Sequence, residues 1–186
     1  MTRTLIYMFH PDPARSRANA ALARAAAALP GVEVIDMQAE CPDGHYGDGA
    51  AEVARLLTAD RIVLQFPLQW YSTPPLLKAW QDAVLTRMFY THHEAEGRLR
   101  EGTPLMVATT AGNVPEAYRP GGANMFAMND MLAPLRATAN RCALPWAAPY
   151  VLYRAMDLTA EQLDVAAADY AETLTRWIAT PLQQAA

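Results

Sequence analysis

The sequence predicts an α/β fold in which helices cover both faces of a parallel β-sheet. Short apolar runs alternate along the chain with segments of helical character, which is the order that right-handed β-α-β crossovers produce. The chain has 186 residues, of which 52% are hydrophobic and 18% are charged, enough for one domain with a sizeable core. We therefore expect residues 1–186 to form a single domain.

The first third of the chain contains two predicted strands and two predicted helices. The apolar run at 5–9 indicates a buried strand. Residues 17–29 are rich in alanine and are followed by a Pro-Gly pair, which favours a helix that ends there. A second apolar run at 32–35 predicts another strand, and a short helix is expected near 50–57 after a loop with proline and glycines.

The middle of the chain repeats this alternation. The apolar run at 62–66 predicts the third strand, and residues 75–87 predict the helix that follows it. Residues 91–103 are polar and irregular, so we expect a loop there. Residues 105–110 predict the fourth strand, and a helix is expected in about 124–141 after a loop with glycine and proline.

The last part of the chain supplies a fifth strand and a long helix. The strand is predicted at 149–153, and Thr159 with Gln162 fits a capping box at the start of the helix. Apolar residues then recur at helical spacing, which indicates packing against the core. They are Leu163, Ala167, Tyr170, Leu174 and Trp177.

Five strands that alternate with helices predict a doubly wound, three-layer sandwich with the strand order 2-1-3-4-5, as in flavodoxin-like sheets. Ligands of such sheets bind outside the carboxyl ends of the strands. The loops after the first, third and fourth strands are therefore the candidate binding loops.

The loop after the first strand, residues 10–19, has features of an anion site. Ser16 is a candidate helix cap, and a helix N-terminus offers unpaired N–H groups to an anion. Arg15 and Arg17 lie beside it, which suits a phosphate monoester. Plain helix capping with surface arginines explains the same residues equally well. The sequence has neither GxGxxG nor GxxxxGK[ST], which disfavours a dinucleotide Rossmann site and a nucleotide P-loop.

The loop after the third strand places two large aromatic residues, Trp70 and Tyr71, before a proline pair that prevents helix formation. At the carboxyl edge of the sheet, these rings are suited to form a wall beside a flat ligand. The alternative is that they pack under the following helix or in a subunit contact.

The loop after the fourth strand, residues 109–119, begins with small residues that allow a ligand to approach the backbone. Tyr118 would close such a pocket with a ring and a donor; the alternative is an ordinary turn with an exposed tyrosine. The three loops together predict a site for a phosphorylated planar cofactor, for which flavin mononucleotide (FMN) is the natural candidate.

Four stretches of the chain carry a resemblance to a known family: 10–19, 65–85, 109–119 and, more weakly, 134–153. The most specific of these is QFPLQWYSTPPLLKAWQDAVL at 65–85. The chain resembles the flavodoxin-like NAD(P)H:quinone oxidoreductase family, and within it the ancillary flavoproteins of glutathione-gated potassium efflux antiporters.

This resemblance implies a bound cofactor, FMN rather than FAD, and NAD(P)H as electron donor. It implies that FMN is held by His10, Ser16, Arg17, Ala18 and Asn19 around its phosphate, by Pro67, Leu68, Gln69, Trp70 and Tyr71 along its ring, and by Thr109, Thr110, Ala111 and Gly112 on the other side. Tyr118 would be the catalytic residue that faces nicotinamide or quinone. The implied reaction is a two-electron, ping-pong hydride transfer through flavin N5 to a quinone or related acceptor.

The resemblance also implies partners. Family members are usually homodimers with the site at the subunit contact, which would give the apolar residues Leu85, Met88 and Phe89 a partner surface. A regulatory subunit that binds and activates a potassium antiporter is the alternative to a free-standing quinone, nitro or azo reductase. A third possibility is a protein of this fold that has lost its flavin.

Some positions depart from the family pattern. The family often has histidine where this chain has Phe66, and glycine where it has Ala111 and Asn113. Family members also often carry glycines where residues 91–94 read Thr-His-His-Glu. These departures leave the substrate preference open.

Composition and charge argue against several other classes of protein. A formal charge of −4 disfavours nucleic acid, which needs a clustered basic surface. Cys41 and Cys142 are predicted to be free thiols in a reducing compartment. The chain shows no signal peptide or membrane span, so we expect a cytoplasmic protein that reaches the inner face of the membrane only through a partner. We expect no metal site, since adjacent residues such as His92-His93-Glu94 rarely converge on one ion.

Overall fold

The computed structural model describes residues 2–182, which form one five-stranded parallel sheet. Its strands are β1 (Thr4–Met8), β2 (Val32–Asp36), β3 (Arg61–Pro67), β4 (Leu105–Thr110) and β5 (Tyr150–Leu152). They lie in the order β2-β1-β3-β4-β5, and every neighbouring pair is parallel. The predicted fold class and strand order are confirmed.

Seven α-helices surround the sheet within the described residues. They are α1 (Ala18–Ala27), α2 (Met37–Glu40), α3 (Ala50–Leu56), α4 (Pro75–Trp80), α5 (Met128–Met131), α6 (Ala133–Arg141) and α7 (Ala160–Ala179). The short helix α2 was not expected from the sequence; the Asp36 carboxylate caps it by accepting hydrogen bonds from the N–H groups of Gln38 and Ala39. The helix expected at 124–141 begins only at Met128, after Met125 with its left-handed backbone of φ 63°, and Leu132 separates it into two helices.

The side chains of the central strands alternate between two apolar layers. On one face, residues such as Tyr7 of β1 and Leu64 of β3 pack with Trp80 and Leu135 from α4 and α6. On the other face, residues such as Ile6, Val63 and Met106 pack with Leu22 of α1 and with Tyr170 and Leu174 of α7. Strands β1 and β4 are buried along their whole length, as expected for parallel strands covered on both faces.

Helix α4 continues as two π-helical segments, Gln81–Leu85 and Arg87–Thr91. Met88 and Phe89 lie on this extension and are only 1% and 4% exposed. The expectation that they form a partner surface is therefore wrong. Because a π turn holds more residues than an α turn, adjacent residues such as these both reach the core, while Leu85 is half-buried.

The loop at 92–103 folds back onto this helix through ion pairs. The Arg87 guanidinium contacts Glu96 at 2.7 Å and Asp48 at 2.9 Å. His93 pairs with Glu101 at 2.8 Å. Among residues 2–182, no group of three His, Cys, Asp or Glu side chains is placed to hold a metal ion. In the same part of the chain, no helix combines the length and the apolar character needed to cross a membrane.

Candidate active site at the carboxyl edge of the sheet

Four loops meet at the carboxyl edge of the sheet, one more than expected. They follow β1, β3, β4 and β5, and we refer to residues 9–17, 67–74, 111–126 and 153–158 as the carboxyl-edge loops. Hydrogen bonds join neighbouring loops across the edge. Leu68 N–H donates to Thr110 O at 2.8 Å, and Ala155 N–H donates to Ala111 O at 3.0 Å.

The β1 loop holds the N-terminus of α1 open. Arg17 occupies the N-cap position of α1 without a side-chain capping bond, and the hydroxyl of Ser16, one residue earlier, accepts a hydrogen bond from Ala20 N–H at 3.2 Å. At the first turn of a helix, the backbone N–H groups of Arg17, Ala18 and Asn19 have no partner within the helix. These N–H groups, together with the dipole of a ten-residue helix, form a site suited to an anion.

His10 supports the β1 loop from inside. Its Nδ1 accepts a hydrogen bond from Asp12 N–H at 3.1 Å, which requires that this nitrogen carry no proton. Partial burial lowers the pKa of His10, consistent with the neutral ring. In this structure, His10 therefore organises the loop through Nδ1.

Asn19 points away from the open end of the helix. Its side chain is 2% exposed, and its Nδ2 donates to the Thr110 hydroxyl at 2.9 Å. The Gln65 amide donates to Asn19 O at 2.9 Å, and the Tyr170 hydroxyl donates to Gln65 Oε1 at 3.3 Å. This buried chain of four polar side chains anchors the first turn of α1 to β3, β4 and α7.

The β3 loop contains a tight turn with Trp70 and Tyr71 at its centre. Gln69 and Ser72 exchange two backbone hydrogen bonds of 2.9 Å, and both central residues have left-handed backbones, with φ 46° at Trp70 and 65° at Tyr71. This is the pattern of a type I′ turn, which is normally built from Asn and Gly. Each such residue with a large side chain costs about 1–2 kcal/mol.

The turn displays its two aromatic rings to solvent. Trp70 is 93% exposed and Tyr71 is 52% exposed, so neither packs under α4. The Tyr71 hydroxyl donates to Asn124 Oδ1 at 3.4 Å, which links the turn to the β4 loop. Backbone strain combined with exposed aromatic side chains is characteristic of ligand sites rather than of structural turns.

The β4 loop offers backbone atoms rather than side chains to the candidate site. Thr109 is fully buried, and its hydroxyl has no hydrogen-bond partner among the described residues. Ala111 is 1% exposed and belongs to the core, so its methyl group does not obstruct the loop surface. A Cβ added to Gly112 would meet open space, which leaves the backbone there accessible.

The departures from the family pattern at two positions are explained by burial. Phe66, like Ala111, lies in the apolar core and is 0% exposed. Both positions therefore affect packing beneath the site and not the surface that a ligand would contact. They give no structural reason to expect that the chain has lost its cofactor.

Tyr118 has an aromatic partner that the sequence did not reveal. Its ring lies 5.4 Å from the ring of Tyr153, at an angle of 51°. Tyr153 was included in the fifth strand, but β5 ends at Leu152, so Tyr153 is the first residue of the next loop. Burial raises the pKa of Tyr153, which keeps its hydroxyl protonated. The signal in the sequence that could have indicated this pair was Tyr153 itself, an aromatic residue at the carboxyl end of the predicted fifth strand.

The segment after Tyr118 carries further exposed apolar side chains. A Cβ on Gly122 would lie 2.6 Å from Ala117 O, so the chain turns sharply there. Met125 and Phe126 follow and are 67% and 57% exposed. We refer to Trp70, Tyr71, Met125 and Phe126 as the apolar rim.

The carboxyl-edge loops carry four arginines and three acidic residues, which are Arg15, Arg17, Arg119, Arg154, Asp12, Glu116 and Asp157. Arg17, Arg119 and Arg154 take part in none of the salt bridges found within residues 2–182. Arg17 instead donates to Leu158 O at 2.9 Å. Arg17 is the residue that precedes the first turn of α1, and a guanidinium group without an acidic partner there favours an anionic ligand.

These features define a flavodoxin-like protein: a 2-1-3-4-5 parallel sheet with a helix N-terminus and exposed aromatic residues at its carboxyl edge. Residues 2–174 match the family described as having a flavodoxin-like fold, and the chain belongs to this family. The resemblance predicted from the sequence is confirmed.

Relatives and solved structures place the chain more closely. It is 37% identical over 180 residues to KefG of Cronobacter sakazakii, a glutathione-regulated potassium-efflux system ancillary protein. The aligned region covers 97% of this chain and 94% of that protein. General stress protein 14 of Treponema denticola in complex with FMN is 28% identical with a TM-score of 0.84, covering 94% and 98% of the two chains.

Two further solved structures are similar. An NADPH-quinone reductase of P. pentosaceus is 26% identical, with a TM-score of 0.78 and coverage of 100% of both chains. A structure from S. violaceusniger described as a thermophilic tryptophan halogenase is 36% identical, with a TM-score of 0.83 and coverage of 91% and 97%. Overall likeness therefore does not select the reaction, and the choice rests on the site.

Proposed function

We propose that this protein is an FMN-dependent NAD(P)H:quinone oxidoreductase. The observation that carries the proposal is the exposed, strained Trp70-Tyr71 turn beside an open helix N-terminus. A planar ring with a phosphate tail is the class of ligand that uses both features. The quinone reductase and the FMN complex among the similar structures support this choice.

The phosphate would bind at the N-terminus of α1. The N–H groups of Arg17, Ala18 and Asn19 would donate to its oxygens, with the Ser16 hydroxyl and His10 beside them. Asn19 would contribute through its backbone, since its side chain is engaged with Thr110.

The flavin ring would lie between the β3 turn and the β4 loop. Pro67, Leu68 and Gln69 would line its edge with backbone atoms, while Trp70 and Tyr71 would flank it. The backbone N–H groups of Trp70 and Tyr71, which are not used in the hydrogen bonds of the turn, would stabilise negative charge at the polar edge of the ring, as in an oxyanion hole. On the other side, Thr109, Thr110, Ala111 and Gly112 would supply mainly backbone atoms.

When bound, FMN would supply a two-electron hydride carrier at N5, which is the chemistry that a ping-pong reduction of a quinone by NAD(P)H requires. Tyr118 is the proposed catalytic residue: its hydroxyl would donate to the quinone oxygen on which negative charge develops. The ring of Tyr153, 5.4 Å away, would hold Tyr118 in place. The unpaired Arg119 and Arg154 would attract the anionic donor.

A homodimer is part of the proposal, with a different contact surface from that expected. Met88 and Phe89 are in the core, whereas the apolar rim is exposed at the mouth of the site. A second subunit covering this rim would remove large apolar side chains from water and would complete the pocket.

An antiporter subunit is the second candidate function, and the likeness to KefG favours it. In this case the protein would bind a potassium efflux antiporter at the inner face of the membrane and would retain FMN. The two functions share the same flavin site, so they are separated by partner binding. Copurification of the tagged protein with a membrane antiporter would support the second function.

The visible spectrum of the purified protein tests the proposal. We expect a yellow protein that binds FMN and is bleached anaerobically by NADPH or NADH, then recovers its colour when a quinone is added. Failure to bind FMN after reconstitution would overturn the proposal. A yellow protein that neither nucleotide bleaches would indicate another electron donor or a regulatory role.

A further inference from the structure

Gln65 is a polar side chain at a place where an apolar one would be expected. It lies in β3 between Leu64 and Phe66 and is 0% exposed. Burying an amide without hydrogen bonds costs about 1–3 kcal/mol. Because of this cost, the hydrogen bonds that the Gln65 side chain makes identify the parts of the structure that it holds together.

Both polar atoms of the Gln65 side chain are used, and they connect it to different elements. Nε2 donates to Asn19 O in the first turn of α1 at 2.9 Å. Oε1 accepts from the Tyr170 hydroxyl of α7 at 3.3 Å. Gln65 therefore bridges the sheet to both helices of one layer, and one of its bonds reaches the turn that carries the anion site.

The position of that turn sets the direction of its N–H groups. Asn19 is the last of the three residues whose N–H groups are open at the helix N-terminus, and its carbonyl is fixed by Gln65. Asn19 is also held through its side chain by Thr110. Without the bond from Gln65, the first turn of α1 would be held to β3 by apolar contacts alone, which do not fix direction.

We propose that Gln65 is a positioning residue for the phosphate of the flavin, acting through the first turn of α1. This inference rests on the proposed function, because it takes FMN as the ligand. It assigns to Gln65 a role in discriminating FMN from riboflavin, which has the same ring but lacks the phosphate.

The test compares the affinities of the apoprotein for FMN and for riboflavin, measured by quenching of flavin fluorescence. Gln65→Met keeps the size of the side chain and removes both hydrogen-bonding groups. We expect its Kd for FMN to rise about fivefold to tenfold, the loss of one hydrogen bond to a positioned group, while its Kd for riboflavin stays unchanged.

Tyr170→Phe is the matched control, because it removes the other hydrogen bond of Gln65 and leaves the bond to Asn19 in place. We expect it to lower stability without changing the preference for FMN over riboflavin. Two outcomes would overturn the inference and show that Gln65 acts through general packing. In the first, Gln65→Met lowers the affinities for FMN and riboflavin by the same factor. In the second, Tyr170→Phe loses the preference for FMN to the same extent as Gln65→Met.

The wild-type protein separates this inference from the proposed function. If wild type binds neither flavin, the flavin site itself is wrong. If wild type prefers FMN and Gln65→Met retains that preference in full, the proposed function stands and the role of Gln65 is refuted.

Discussion

Replacing Trp70 by asparagine should make the apoprotein more stable and the flavin site weaker. Trp70 is the first central residue of a type I′ turn, with φ 46°. A left-handed backbone costs an ordinary L-residue about 1–2 kcal/mol, and asparagine tolerates this conformation much better. Asparagine is also a preferred first central residue of this turn.

The magnitude follows from the exposure of the side chain. Because Trp70 is 93% exposed, its removal sacrifices almost no buried apolar surface. Relief of roughly half the strain should raise the free energy of unfolding by about 0.5–1 kcal/mol. For a chain of this size, that corresponds to an increase in Tm of about 1–4 °C. Tyr71→Gly should be close to neutral, since the relief of strain is offset by the entropy that glycine costs and by the loss of the covered part of the Tyr71 ring, which is 52% exposed.

Urea unfolding of the flavin-free protein measures the gain in stability of Trp70→Asn, and titration with FMN measures its loss of affinity for the cofactor. Ala143→Asn is a matched control: Ala143 also has a positive φ, 51°, and is exposed, but it lies before β5, outside the carboxyl-edge loops. Both variants should gain stability, and Trp70→Asn alone should lose affinity for FMN. A Trp70→Asn protein less stable than wild type would refute the argument from strain, and unchanged FMN affinity would remove Trp70 from the site.

Three other outcomes are expected. Tyr118→Phe should lower kcat for quinone reduction about tenfold while FMN stays bound, because one hydrogen bond to the reacting oxygen is lost; equal kcat would exclude the tyrosine from the chemistry. Gly122→Ala should cost about 2–3 kcal/mol in urea unfolding, because its Cβ would lie 2.6 Å from the Ala117 carbonyl oxygen, whereas Gly112→Ala, which meets open space, should be close to neutral. Burial raises the pKa of Glu52 above its ordinary value of 4.5, so the folded protein holds this proton to higher pH than the unfolded chain does. The stability that this proton contributes is present below about pH 4.5 and is lost as pH rises through the raised pKa; Glu52→Gln should remove that decline, and identical pH profiles would contradict it.

Most of the sheet could be predicted because its signals are local. The apolar runs at 5–9, 62–66 and 105–110 each fall within one residue of the observed strand limits. The hydrogen bond of Ser16 at the start of α1 could be predicted for the same reason, because its hydroxyl accepts from an N–H group only four residues away in the chain. Helix boundaries were less predictable: the helix expected from 124 begins only at Met128, after a left-handed backbone at Met125 that no local residue preference indicates.

The sequence indicated which loops form the candidate site, but it did not indicate which of their side chains are exposed there. Trp70 and Tyr71 were expected at the mouth, and their exposure agrees with that expectation. Phe66 and Ala111 were treated as departures in the site, yet both face the core. Tyr153 was missed because its role depends on β5 ending one residue earlier than the apolar run indicates.

The sequence by itself determined the order of strands and helices and the family to which the chain belongs, and it indicated the loops of the candidate site. Each of these depends on residues close together in the chain or on a topology that short crossovers restrict to few choices. Only the tertiary structure decided which atoms are exposed at the candidate site and which are buried beneath it. It turned Asn19 toward Thr110, 91 residues away, placed Gln65 between α1 and α7, and buried Met88 and Phe89. The physical reason is that side-chain direction at the end of a strand or along a π turn is set by packing against distant elements, which no local pattern contains.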